Sequence, residues 1–249
     1  MQFSIVIPFR NESANLPELY NRLKSFIDER NEEIEVLFIN DASEDDGLEI
    51  LQKCISKNKT FKLFSLKKRG GQTGAFKLGF AKARGDKIIR MDADLQDHPE
   101  DLPFFFEKLS AGCDVVLGYR ISRNHNIILK LLTAIYDSIT TIIFNTGLKS
   151  NSGSFVGFSS HLLKDIPFQK NDHRYLPLIC LQRGAKTFCG IAVQHSARSH
   201  GRSKYSNINK CLFGLIEFVR FYLRFRRGYY SFVTRNAQQH LINRRDKIK

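Results

Sequence analysis

The sequence predicts an α/β chain with a mainly parallel, Rossmann-like central sheet flanked by helices. Three observations point there. Short β-branched and aromatic runs alternate with amphipathic segments from Phe3 to Gly118. The strand runs are almost continuously apolar, as strands covered on both faces require. Polar clusters recur directly after those runs, where open parallel sheets form their ligand crevice.

Phe3–Ile7 is the first strand run, ended by Pro8, and Arg10-Asn11-Glu12-Ser13 leads into an amphipathic helix reaching about Phe26. Ile34–Ile39 is a second buried strand, followed by Asn40-Asp41-Ala42-Ser43 and a helix over about Leu48–Ser56. Phe61–Leu66 repeats the pattern, with a glycine-rich turn at Gly70–Gly74 and a helix over Ala75–Ala83 ended by Gly85. That turn lacks both GxGxxG and GxxxxGK[ST] spacing, which favours a turn plus helix N-terminus over a phosphate loop. A fourth strand is expected at Lys87–Met91, a helix at Glu100–Leu109 and a fifth strand at Asp114–Gly118.

The stretch Lys87–Pro99, KIIRMDADLQDHP, carries the clearest chemistry. A buried strand that runs into Asp92-Ala93-Asp94 places hard oxygen ligands at a sheet edge, within reach of Mg²⁺ or Mn²⁺ on a phosphate. A lone Asp-x-Asp can equally solvate a loop or cap the next helix. Its weight comes from position: Pro8, Asn40-Asp41 and Asp92–Asp94 all fall at predicted strand carboxyl ends on one rim, and together they suggest a nucleotide-diphosphate site.

The chain has 249 residues, enough for one sizeable core and a terminal appendage. Its formal net charge of +14 favours polyanionic partners: nucleotide sugars, an anionic membrane surface or nucleic acid. Without a zinc knuckle, or a basic arm with interleaved aromatics before the C-terminal region, nucleic acid is not the expected partner. Cys54, Cys113, Cys180, Cys189 and Cys211 are scattered, odd in number and never spaced Cys-x-x-Cys, so they read as reduced core thiols of a cytosolic protein. The opening MQFSIVIPF has no signal-peptide pattern.

In the second half, Ile127–Leu148 is apolar but interrupted by Lys130 and Asp137, which suits an amphipathic or core helix grazing a bilayer better than a membrane span. A small-residue loop at Ser152 leads into a strand through Phe158, followed by a helix at Tyr175–Gln182 and a strand at Phe188–Val193. The run Leu212–Phe225 mixes aromatic and aliphatic residues with Glu217, Arg220 and Arg224, and a basic tail follows. Such a run suits a helix lying among lipid headgroups, because so many aromatics beside arginine are hard to bury in a domain this size. The alternative is a helix packed on the domain.

Taken together, SIVIPFRNES, LFINDASEDDG, GGQTGAFKLGFAKARGD, MDADLQDHPE, DVVLGYR and the Arg198–Tyr205 motif RSHGRSKY resemble family 2 glycosyltransferases of the GT-A fold. The resemblance is to the branch of dolichol-phosphate mannose synthases and bacterial polyprenyl-phosphate glycosyltransferases. It covers Phe3 to Tyr205 and implies a catalytic domain at 1–206 with an amphipathic, basic membrane-surface appendage at 207–249. Pro8, Arg10 and Glu12 match the nucleoside-binding first loop, and Asn40 and Asp41 the pair that holds base and ribose. Asp92 and Ala93 would contact the nucleotide, with Asp94 and Gln96 as ligands of Mg²⁺ or Mn²⁺. Arg120, Arg198 and Lys204 match catalytic cations on the donor and acceptor phosphates, while Ser203, Arg123 and Lys130 would contact substrate.

The resemblance implies a UDP- or GDP-linked sugar donor and a polyprenyl phosphate acceptor. Such an acceptor has a second pKa near 6 and is already anionic at neutral pH, so no dedicated base is needed. Many relatives carry an acid beside the Gly-Phe of the acceptor loop, whereas this chain reads Ser152-Gly153-Ser154-Phe155. Many also continue into two transmembrane helices, whereas this chain ends in its Arg-rich run. The expectation is therefore a cytoplasmic enzyme, peripheral on the inner face of the membrane and attached directly or through a small membrane protein. The alternatives are transfer to a glycan hydroxyl during surface-polysaccharide assembly, or a non-catalytic subunit that keeps the fold.

Overall fold

The computed structural model describes residues 1–56, 58–120, 138, 140, 141, 143, 144, 153–196 and 208–232, with backbone alone at 208–213 and 215. Seven strands form one sheet: β1 (Phe3–Phe9), β2 (Ile34–Asn40), β3 (Phe61–Ser65), β4 (Lys87–Arg90), β5 (Val115–Arg120), β6 (Val156–Ser159) and β7 (Phe188–Val193). Their order is β3-β2-β1-β4-β6-β5-β7. Only β6 runs antiparallel, against β4 on one side and β5 on the other; β1–β2, β1–β4, β2–β3 and β5–β7 pair in parallel.

The helices are α1 (Leu16–Asp28), α2 (Gly47–Ile55), α3 (Gly71–Lys82), α4 (Leu102–Ser110), α5 (Leu176–Gln182) and α6 (Ile208–Arg226). Side chains alternate across a strand, and the sheet feeds two cores. Ile5, Ile7 and Phe38 pack with Leu16, Leu19, Leu23, Leu51 and Phe105 of α1, α2 and α4. Val6, Leu37, Ile39 and Ile88 face the other way, onto Phe76, Phe80, Leu176 and Phe221 of α3, α5 and α6. Each such fully buried side chain contributes roughly 1.5–3 kcal/mol. Helix α3 approaches β1 closely because position 79 is glycine; a Cβ there would lie 2.3 Å from Val6 Cγ1.

Three expectations are corrected. Pro8 does not end the first strand, because β1 continues to Phe9 and Pro8 sits opposite Ile39. The missing proline N–H is tolerated where the ladder is about to end. Nor are all the cysteines free thiols. Cys113, just before β5, is joined to Cys189 of β7, and the parallel register that sets Val116 beside Cys189 brings the two sulfurs together. Cys54 and Cys180 are free.

The third correction concerns the aromatics of α6 and of the turn after it, which bury well. Phe221 and Tyr230 are fully buried, Phe221 stacks on Tyr175 at 4.1 Å, and Phe144 packs against Phe218, Tyr222 and Phe225. Arg224 also turns inward: it donates to Asp172 Oδ1 at 2.7 Å and to the Tyr230 hydroxyl at 2.8 Å. The Tyr230 hydroxyl donates to Asp172 Oδ2 at 2.8 Å. What α6 leaves exposed is a narrower stripe of Ile216, Val219 and Leu223. Among the described residues no helix is long and apolar enough to cross a membrane. Most of Ile127–Leu148 lies outside the described residues.

Candidate active site

The carboxyl ends of β1, β2, β4 and β5 lie along one rim, and the loops leaving them are tied to one another. Phe9 of β1 is opposite Asn40 of β2, and its carbonyl accepts the Asp41 N–H at 2.9 Å. The first two loops are stitched by Arg10 to Glu44 at 2.6 Å, Asn11 N to Ser43 Oγ at 3.1 Å, Glu44 N to Asn11 Oδ1 at 2.8 Å and Ser13 N to Asp45 Oδ2 at 2.8 Å. The Glu12 carboxylate accepts from Asn15 Nδ2 at 2.6 Å.

Asn40 and Asp41 are both buried. Asn40 Oδ1 accepts the Ser43 N–H at 2.9 Å. Asp41 Oδ1 accepts the N–H groups of Gly70 and Gly71 at 2.6 and 3.1 Å, supplying an anion to the positive end of α3. Gly71 holds φ +67 there, a left-handed conformation that glycine adopts freely. The glycine-rich segment is thus a turn plus helix start, and Asp41 already occupies it.

Past β4 the chain bends sharply through the acidic loop. Leu95 has φ +62, and Gln96 donates its backbone N–H to Asp94 Oδ1 at 3.3 Å, so the turn folds Asp94 and Gln96 together. Asp94 and Asp97 are buried and Asp92 partly so. Burial pushes the Asp92 carboxyl up to about 7, reinforced by the neighbouring charges of Asp97 and Asp94 and opposed by Arg90 and Arg120. Asp97 is also pushed up, chiefly by burial. Carboxyls that resist ionisation together call for a cation. Arg120, the last residue of β5, supplies one whose field reaches Asp92, Asp97 and His195.

The structure thus brings together Pro8, Arg10, Glu12, Asn40, Asp41, Asp92, Ala93, Asp94, Gln96 and Arg120 on one rim. Arg123, Lys130, Arg198, Ser203 and Lys204 lie outside the described residues. Sequence reasoning missed Arg90, His173, His195 and Asp97. Arg90 is buried and donates to three carbonyls: Ser154 at 2.9 Å, His173 at 2.5 Å, and Gly153. His195 is drawn down to about 4, by burial first and then by Arg120; its Nδ1 has no hydrogen-bond partner among the described residues. An arginine inside an apolar strand run, at Lys87–Arg90, was the one sequence signal that marked a fixed internal cation.

A divalent cation fits part of this donor set. Asp94 offers carboxylate oxygen, and Gln96, whose Nε2 donates to the Ser196 carbonyl at 3.3 Å, keeps its amide oxygen as an acceptor. Among the described residues no three or more His, Cys, Asp or Glu side chains form a ligand cage. A hard cation held by one or two protein oxygens and completed by phosphate and water is typical of Mg²⁺.

Comparison with known proteins decides the family. The model of Glycosyl transferase family 2 matches residues 4–166. The chain belongs to that family. Among curated relatives, the undecaprenyl-phosphate 4-deoxy-4-formamido-L-arabinose transferase of Shewanella sediminis is 30% identical over 209 residues, covering 83% of this chain and 62% of that protein. The transferase of the same name from Pseudomonas aeruginosa strain LESB58 is 28% identical over 204 residues, 82% of this chain and 60% of the relative. This family 2 chain spans about three fifths of the length of such relatives.

Among solved structures, glucosyl-3-phosphoglycerate synthase from Mycobacterium tuberculosis, in complex with Mn²⁺, uridine diphosphate and phosphoglyceric acid, superposes with a TM-score of 0.68 at 17% identity. It covers 90% of this chain and 78% of its own. S. aureus TarS 1–349 in complex with UDP-GlcNAc gives 0.63 at 19% identity, covering 90% and 67%. These likenesses bear out the expected GT-A type of α/β fold.

Proposed function

We propose that this family 2 chain is an inverting, metal-dependent glycosyltransferase that moves a sugar from a UDP- or GDP-linked donor to polyprenyl phosphate. The observation that carries the reading is the gathering of Arg10–Glu12, Asn40–Asp41 and Asp92–Asp94 at the ends of the neighbouring strands β1, β2 and β4, with Arg120 of β5 at the same rim beyond β6. The relatives named as undecaprenyl-phosphate sugar transferases support the acceptor.

In this reading Asp94 and Gln96 hold Mg²⁺ or Mn²⁺, which would neutralise charge on the departing diphosphate. The loops after β1 and β2 hold the nucleoside. Arg120 sets a fixed positive charge beside the acidic loop, ready for the phosphates at no reorganisation cost. Arg123, Lys130, Arg198, Ser203 and Lys204 are assigned to the phosphates and acceptor on the motif resemblance. The acceptor needs no base from the chain, because its phosphate is already ionised.

The same reading places the enzyme on the cytoplasmic face of the membrane. Ile216, Val219 and Leu223 recur on one face of α6 and are exposed, with Arg220, Arg226 and Arg227 beside them. Apolar residues rimmed by arginine suit an anionic lipid surface, each cation adding about 1 kcal/mol. Co-sedimentation with vesicles containing anionic lipid at low salt should be strong for the wild type. It should fall several-fold for Val219→Glu, whose side chain lies off the packed face. A protein that stays in the supernatant and co-purifies with no membrane protein contradicts the placement.

Function is tested by screening nucleotide sugars for Mn²⁺-dependent thermal shift, then following the radiolabelled sugar of the best donor into purified polyprenyl phosphate. A glycolipid product labile to mild acid is expected. Label appearing only in glycan hydroxyl linkages, or no Mn²⁺-dependent shift with any donor, would overturn the reading.

A further inference from the structure

We infer that Asp97 is a positioning residue for the transfer site, fixing the acidic loop, the loop before β6 and the segment after β7 to one another. The inference rests on the transferase reading above. Asp97 is buried, and its carboxylate serves two partners from different loops. Oδ2 accepts the Asp92 N–H at 3.4 Å and the Ser154 hydroxyl at 3.1 Å, and Oδ1 accepts the same hydroxyl at 3.3 Å.

The backbone of Asp97 also forms an antiparallel bridge with His195, whose Nδ1 lies 3.9 Å from Asp97 Oδ1. On either side of that bridge, Ser196 donates its N–H to the Gln96 carbonyl at 3.2 Å, and its hydroxyl meets His98 Nε2 at 2.7 Å. Arg90 grips the carbonyls of Gly153 and Ser154 from the end of β4. The three segments therefore meet at Asp97, one residue beyond Gln96 and three beyond Asp94.

A carboxylate suits this place because it accepts at both oxygens and donates at neither, and both of its partners are donors. It does not need to touch substrate. What it sets is the distance between the oxygens of the acidic loop and the wall formed by residues 153–154. An error there is felt in orientation, and so in kcat.

The test uses the full chain, its identified donor and polyprenyl phosphate. Asp97→Ala should lower kcat roughly tenfold to a hundredfold, with donor KM within about threefold of wild type. Ser154→Ala should lower kcat about tenfold, and Ser154→Thr, which keeps the hydroxyl, should restore it. Adding Ser154→Ala to Asp97→Ala should cost nothing further, because the two act through one contact.

The inference is overturned if Ser154→Ala matches wild type, if threonine gives no rescue, if the two losses multiply, or if donor KM rises while kcat holds. Should Asp97→Ala not fold, the partly exposed Ser154 pair still decides. A wild type that transfers no sugar to polyprenyl phosphate sinks the functional reading and this inference with it. An active wild type with unaffected variants sinks this inference alone.

Discussion

Asn11, Ala42 and Leu95 hold φ values of +56, +53 and +62, and they follow β1, β2 and β4 respectively. A left-handed conformation costs a non-glycine residue roughly 1–2 kcal/mol, so strain is stored at the three strand ends that carry the candidate nucleotide and metal loops. Ala42 and Leu95 are residues that do not favour this region, so nothing in their identity announces it; only Asn11 is of a type that adopts it readily. A second residue carries a consequence for pH. His173 packs beside Phe76, and its Nδ1 pairs with Thr73 Oγ1 at 2.7 Å. Burial, then the charges of Arg90 and Arg174, draw its pKa down to about 3. The unfolded chain takes up that proton below about 6.5 and the folded chain does not until about 3, so stability falls as pH drops through this window. Between pH 7.5 and 5 the expected loss is about 1–2 kcal/mol. Asp97, Asp101 and Asp172 are shifted upward and act in the opposite sense. The effect is therefore read as a difference in urea midpoints between wild type and His173→Gln, and equal pH slopes for the two would refute it. The rim positions of Asp94 and Arg120 were legible because each follows a predicted strand directly in sequence. Asp97 and Arg90 were not, because their partners at 153–154 and 195 are distant in sequence.

The strands and helices themselves were largely legible. Apolar runs and turn residues placed β1 to β5 and α1 to α5 within a few residues, since a strand buried on both faces leaves little room for any other pattern. Two facts escaped because they depend on which strands become neighbours. One is the reversed direction of β6. The other is the bond between Cys113 and Cys189, which needs β5 and β7 to pair. That bond spans a sequence separation of 76, and closing a loop of this size restricts the unfolded chain by up to about 4.5 kcal/mol. Dithiothreitol should accordingly lower the Tm of oxidised wild type but not that of a Cys113→Ser, Cys189→Ser variant; an unchanged wild-type Tm would count against a bonded pair. Helix α6 shows why an amphipathic run has two readings. Its period of about 3.6 residues gives Phe221 and Arg224 to the domain and Ile216, Val219 and Leu223 to the outside.

The molecule as a whole joins a parallel sheet, whose strand ends gather oxygen ligands and cations, to a helix with an uncovered apolar stripe and a net charge of +14. This arrangement suits an enzyme whose donor is a soluble anion and whose acceptor is an anionic lipid headgroup. That reading depends on the acidic loop after β4 holding a metal-bound diphosphate, and calorimetric titration of the donor's own nucleoside diphosphate, uridine or guanosine, in the presence of Mn²⁺ tests it most directly. Wild type should bind, chelation of the metal should abolish binding, and Asp94→Ala should weaken it at least about tenfold while keeping the wild-type unfolding transition. Equal affinity in wild type and Asp94→Ala, or binding unaffected by chelation, would contradict the account.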